Sequence, residues 1–237
     1  AGASLEPLDD VAVFRRGDQP WDVVAEPIRS TNMAQYFARV VRDALDVPVG
    51  IVHVAVSGTN QAAWMSRETL EQFPGGGDHA NYYEQFLAGS KEKLAKGGAI
   101  RTWEDFKKAE AEWIQTRQGR YPGRGQTYVN FPTALYNTRI RPLAPFAVRG
   151  AIWHQGEGGP GGPYGERLAA MANQWRELFG QDFAFIWGTL TRHTAGSPPI
   201  DPQPAWFYRS RINPSIRKAL ELFGEDGNAT LVELYDV

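Results

Sequence analysis

A carboxamide and a carboxylate separated by one glycine, Gln155-Gly156-Glu157, follow the apolar run Gly150-Ala151-Ile152-Trp153 with only His154 between them. A second stretch of the same design, Val49-Gly50-Ile51-Val52-His53-Val54-Ala55-Val56, leads into Ser57-Gly58-Thr59-Asn60. In an open α/β sheet, ligands bind beyond the carboxyl ends of the strands, so polar turns at two strand exits are where chemistry is expected. Acyl transfer needs a nucleophile, a base, an orienting acid and donors aimed at a developing oxyanion. Gly58 suits the donor role, because a residue without Cβ lets its N–H approach a substrate oxygen closely. Gln155 offers a neutral side-chain amide, and one such donor is worth roughly 3 kcal/mol of transition-state stabilisation. The plainer readings, a turn glycine and a buried strand with a polar exit loop, stay open on these residues alone.

The remaining polar residues are less suggestive. Ser57 stands at a strand exit, but Ala55 occupies the place where a nucleophile elbow carries glycine. Its expected part is to shape the Gly58 turn. His53 falls inside the expected strand and reads as a packed histidine, while His79 and His193 lie in expected loops. No His-x-x-x-His pair exists and no histidine has an acid at metal-ligand spacing, so neither metal nor cofactor is expected. The absence of cysteine excludes disulfides, thiolate metal sites and a cysteine nucleophile.

Several elements must hold these turns. Apolar positions at Met33, Phe37, Val40, Val41, Ala44 and Leu45 predict a helix over 32–46, ending before Val47-Pro48. A strand is expected at 49–56, a helix from about Ala62 to Leu70, and a break at Gly75-Gly76-Gly77-Asp78. Residues 80–118 are helical and charged, a cover or insertion spanning about 78–130. A helix from Ala134 leads to Pro142 and the strand at 148–154. Then come a glycine-rich loop, a helix over Tyr164–Phe179, a strand at 183–187, a proline-rich loop at 191–205, a helix at 211–223 and a last strand at 229–235. A weaker strand candidate lies at 11–14. Such alternation implies a mainly parallel sheet with helices on both faces.

Composition narrows the class. The 237 residues suffice for one sizeable α/β domain, and 42% hydrophobic with 22% charged residues is ordinary for a globular chain. A formal net charge of −2 argues against nucleic acid as partner. The longest apolar runs are strand-sized, well short of the roughly 20 residues a membrane helix needs, so no membrane insertion is expected. Runs such as Lys91-Glu92-Lys93 read as solvated helix faces.

Taken in order, Val47-Pro48-Val49-Gly50, Ser57-Gly58-Thr59, Ala63-Trp64-Met65-Ser66, Leu135-Tyr136-Asn137, Arg141-Pro142-Leu143 and Arg149 through Glu157 resemble the sialate O-acetylesterase family. The helix ending in Trp175-Arg176 and the strand at Phe183-Ala184-Phe185 fit the same pattern, so the resemblance covers about residues 30 to 237. These esterases are SGNH hydrolases. The resemblance implies a three-layer α/β/α, flavodoxin-like parallel sheet across residues 1–237, and removal of acetyl groups from sugars by a Ser-His-Asp mechanism. It puts Gly58 and Gln155 in the oxyanion hole. Ser57, Thr59, Asn60, Trp64, His154, Gly156 and Glu157 are then expected beside the acetylated carbohydrate, with Trp153, Trp206 and Phe207 as further rings for a sugar. A bacterial periplasmic or secreted setting is usual for the family.

Two departures stand out. The family continues its Gln-Gly-Glu block with serine and asparagine or aspartate, where this chain has Gly158 and Gly159. Its Gly-Gln-Ser-Asn-Met nucleophile motif and its Asp-x-x-His motif are also absent; Ser30-Thr31-Asn32-Met33 has no apolar strand before it. The expectation is an internal piece of an esterase, missing the fold's first strand, with nucleophile, acid and base outside it. A non-catalytic sugar-binding relative and an esterase for non-sugar acyl esters are the alternatives, since fold does not set substrate.

Overall fold

The computed structural model describes residues 33–56, 58–96, 128–157, 162–190, 212–224 and 227–233, together with 108, 111–112 and 115–116. The chain divides into two units, with a boundary between Ala55 and Val56.

In the first unit, helix α1 spans Met33–Leu45, matching its apolar period. Asp46, at φ 53°, ends it by donating its N–H to the Arg42 carbonyl at 2.8 Å. Val47 and Pro48 follow, and proline has no N–H with which to continue a helix. The strand expected at 49–56 does not form. Residues 47–56 carry no sheet ladder, and Val52 is 41% exposed. β-branched composition favours an extended backbone, but a strand needs a neighbouring edge to take its N–H and C=O groups. No described residue supplies that edge.

Among its described residues the second unit is α/β, with a three-stranded parallel sheet and several helices. The 3-10 turn Gln61–Trp64 is followed by α2, Arg67–Glu71, and α3, Tyr82–Lys96. The sequence predicts one continuous helix over 62–70; Ser66 divides it. Its extended backbone and its hydroxyl, which accepts from the Thr69 N–H at 3.1 Å, start a new helix there. A π-helical turn at Tyr136–Ile140 and a 3-10 turn at Arg141–Leu143 stand where the Ala134 helix is expected. Pro142 limits that segment, because it lacks an N–H.

The sheet comprises β1, Gly150–Trp153, β2, Ala184–Gly188, and β3, Ala229–Val232, in the order β1-β2-β3. Gly150 lies opposite Ala184 and Trp153 opposite Trp187; Phe185 lies opposite Ala229 and Gly188 opposite Val232. Helix α4, Tyr164–Phe179, joins β1 to β2, and α5, Asn213–Phe223, precedes β3. Along β2 the burial alternates as a strand's two faces require, with Phe185 and Trp187 fully buried.

Helix α4 buries Leu168, Met171, Ala172, Trp175 and Phe179, a helical stripe. Gly180, at φ 64°, closes it by donating to the Glu177 carbonyl, and Gln181 donates to the Arg176 carbonyl. Helices α4 and α5 pack together so closely at Gly165 that a Cβ there would lie 2.2 Å from the Ser215 carbonyl oxygen. Arg176 ties the helix end to the sheet, donating to the Phe183 carbonyl at 2.9 Å and the Asn228 carbonyl at 2.7 Å, and pairing with Asp182 at 3.2 Å. Trp64, Trp153, Trp175 and Phe185 form a continuous row of rings, each centroid under 6 Å from the next. That row welds the 3-10 turn to β1, α4 and β2.

Candidate active site

β1 ends at Trp153, and the backbone leaves the sheet through His154-Gln155-Gly156-Glu157. Gly156 is buried at φ 132°, a conformation open mainly to glycine, and Ile212 would sit 2.9 Å from any Cβ placed there. The turn therefore needs glycine twice over. His154 and Glu157 are exposed, and a Glu157 side-chain oxygen accepts from the Gly156 N–H at 3.1 Å. Gln155, between them, points inward and is half-buried.

The Gln155 carboxamide is held at both ends. Its Nε2 donates to the Thr59 carbonyl oxygen at 2.9 Å, and its Oε1 accepts from the Tyr164 hydroxyl at 2.6 Å. Chemistry fixes which end is which, because a peptide carbonyl can only accept. The Tyr164 hydroxyl, in turn, can accept from the Trp153 indole N–H at 3.4 Å, an N–H that only donates. Burial pushes the Tyr164 phenol well up from its ordinary value, a shift opposed by the Trp153 bond, so it stays a neutral donor. A carboxamide nitrogen carries two hydrogens, and one is engaged by Thr59. The other meets no acceptor among the described residues.

The facing turn is built as firmly. Gly58 sits at φ 75°, exposed, with open space around its Cβ position. The Thr59 hydroxyl donates to the Val56 carbonyl at 2.8 Å and accepts from the Trp64 indole N–H at 3.0 Å. Asn60 caps the 3-10 turn, its Oδ1 accepting from the Ala63 N–H at 3.0 Å. Asn130 closes the assembly. Its Oδ1 accepts from the Asn60 N–H at 2.6 Å, its Nδ2 donates to the Gly58 carbonyl at 3.0 Å, and its own carbonyl accepts from Asn60 Nδ2 at 2.9 Å.

Gly58 and Gln155 are thus brought to one place, bridged through Thr59, with Asn60, Gly156, His154 and Glu157 around them. Trp64 differs from its expected place beside a sugar. Its ring is 3% exposed and packed edge-on against Trp153, so it offers no open face for stacking. Ser30, Ser57, His193, Trp206 and Phe207 lie outside the described residues. Tyr164 and Asn130 are the residues that motif reasoning passes over. Tyr164 reads only as a helix start, and Asn130 follows a glycine- and tyrosine-rich stretch 70 residues from its partner Asn60. Among the described residues, no group of three or more His, Asp or Glu side chains could hold a metal ion, and no helix is long and apolar enough to cross a membrane.

Such an arrangement can stabilise negative charge on an oxygen placed between the two turns, the demand of ester hydrolysis. No family model and no curated protein matches the sequence. Among solved structures, the chain is similar to one described as a novel carbohydrate acetylesterase from Xanthomonas citri, with 23% sequence identity and a TM-score of 0.60. The match covers 99% of this chain and 41% of that one, so the chain spans about two fifths of the length of its structural neighbour. At this identity the likeness is one of fold, an α/β architecture shared with a carbohydrate esterase.

Proposed function

We propose that this chain supplies the oxyanion-binding side of a carbohydrate O-acetylesterase of the sialate O-acetylesterase type, in a three-layer SGNH-like fold. The observation that carries the reading is the Gln155 carboxamide, clamped by Tyr164 and Thr59 with one N–H to spare beside the Gly58 turn. The fold likeness to a carbohydrate acetylesterase supports the same reading. In this scheme Gly58 and Gln155 bind the tetrahedral oxyanion, and Thr59, Asn60, His154, Gly156 and Glu157 border the acetylated sugar with Ser57. A Ser-His-Asp relay performs the attack, and a fluorophosphonate probe that labels Ser30 or Ser57 would assign its serine to these residues.

The test uses the protein expressed from its complete reading frame, assayed on acetylated monosaccharides and p-nitrophenyl acetate. Gln155→Ala should lower kcat by about one to three orders of magnitude with little change in KM, because the amide acts in the transition state. Sugar binding by the wild type without any hydrolysis would overturn the esterase reading in favour of a lectin-like relative. Turnover of simple acyl esters with none on acetyl sugars would overturn the carbohydrate assignment.

A further inference from the structure

Asn130 bonds the facing turn through its side chain, and the oxyanion scheme gives it no part. Its single carboxamide reaches two different peptide groups of the facing turn, the Gly58 carbonyl and the Asn60 N–H. The Ser90 hydroxyl of α3 donates to its backbone carbonyl at 3.3 Å, which ties the turn to that helix. We infer that Asn130 is the positioning residue of the oxyanion site, and that the Thr59 backbone N–H is a donor it aims.

Peptide planarity sets the direction of the Thr59 N–H. The Gly58–Thr59 peptide is trans, so its C=O and N–H point in opposite directions. Asn130 takes the Gly58 carbonyl, which turns the Thr59 N–H away from Asn130. The next peptide reports where that direction leads. Its N–H, on Asn60, faces Asn130, and its C=O, on Thr59, faces away and meets Gln155 Nε2 at 2.9 Å. The side away from Asn130 is therefore the Gln155 side. Among the described residues no group accepts the Thr59 N–H. Thr59 N–H and the spare hydrogen of Gln155 Nε2 are thus paired donors, one set by Asn130 and the other by Tyr164. Two donors converging on one oxygen is the arrangement that acyl transfer uses. Asn130 acts without touching the substrate. The Thr59 N–H is the catalytic group it sets, a donor additional to Gly58 and Gln155.

This inference rests on the esterase reading, and its test separates the two. Asn130→Asp keeps an acceptor for the Asn60 N–H but faces the Gly58 carbonyl with an oxygen in place of a donor. In the protein from the complete reading frame, kcat on an acetyl ester should fall about 10- to 100-fold, with KM within about threefold of wild type. Far-ultraviolet circular dichroism should be unchanged. The nitrogen-15 resonance of the Gln155 side-chain amide, read on the same proteins, should move. If the aspartate variant fails to fold, Asn130→Ala, which adds no opposing oxygen, carries the same comparison. An unchanged kcat in a folded variant overturns the positioning role. Where the wild type shows no turnover, the esterase reading has failed by itself, and an unmoved Gln155 signal then overturns the placement as well.

Discussion

The Tyr164 hydroxyl, at the first residue of α4, lies 2.6 Å from Gln155 Oε1 in the turn that leaves β1. A residue that opens a helix is thereby also what orients the amide of the preceding turn.

Tyr164→Phe removes that donor and nothing else of size. The Gln155 oxygen and the Trp153 indole N–H each lose a partner in a half-buried place. Unfolding by urea should show a loss of about 1 to 3 kcal/mol. In the active protein kcat should drop as well, because the freed amide can rotate. A phenylalanine variant as stable and as active as wild type would show that the hydroxyl holds nothing.

Alkaline pH should weaken the fold. Burial raises the phenols of Tyr164 and Tyr136 above their value in the unfolded chain. The protonated form is then favoured in the folded state, so its contribution is complete below about pH 10, the usual phenol value. Above that the unfolded chain releases protons first, and stability falls as pH rises further. Denaturation midpoints measured from pH 8 to 11 should be level at first and then decline. Tyr164→Phe should shallow the decline.

The two site glycines should respond unequally to alanine. Gly156→Ala meets Ile212 at 2.9 Å as well as an unfavourable φ, and should cost about 2 to 4 kcal/mol. Gly58→Ala meets only its φ, with free space around the new methyl, and should cost about 1 to 2 kcal/mol. Thermal denaturation of the pair decides the order. Equal losses would mean that the contact with Ile212 is absent in solution.

Arg176→Met should loosen the entry to the sheet. The side chain is only 12% exposed, and it serves the Phe183 and Asn228 carbonyls as a charged donor. Losing those bonds should cost about 2 to 3 kcal/mol. Hydrogen exchange should show faster opening at β3 than at β1, since β3 depends on the Asn228 turn. Uniform acceleration across the sheet would contradict that dependence.

What the sequence makes legible follows from range. Helix α4 is read to its observed ends because its apolar stripe, its opening after Pro163 and its glycine cap are all local. Strands β1, β2 and β3 are each foreseen within a few residues for the same reason. The run at 49–56 has equally strong local character, yet it forms no ladder, because pairing is settled by a neighbour and not by composition. In the site, Gln155 and Gly58 are visible through glycine-bearing polar turns. Asn130 is not, since an asparagine in a loop carries no mark of the peptide groups it will bind. Trp64 misleads for a related reason. An aromatic near a cleft motif looks the same whether it faces sugar or core, and only its neighbours Trp153 and Thr59 decide.

The bond between Gln155 and Thr59 joins residues 96 positions apart, and the ladders beside it join strands a whole helix apart. Contacts of such sequence separation form late, after local helices and the turns between them. The junction of the two polar turns should therefore be the final part of the molecule to assemble. A folding intermediate would carry α4 and α5 docked on a sheet while the two polar turns still moved past one another. Such a species would have native-like circular dichroism without the Gln155–Thr59 bond, and the delay between circular dichroism and the Gln155 side-chain amide resonance in a refolding experiment would time the closing of the turns.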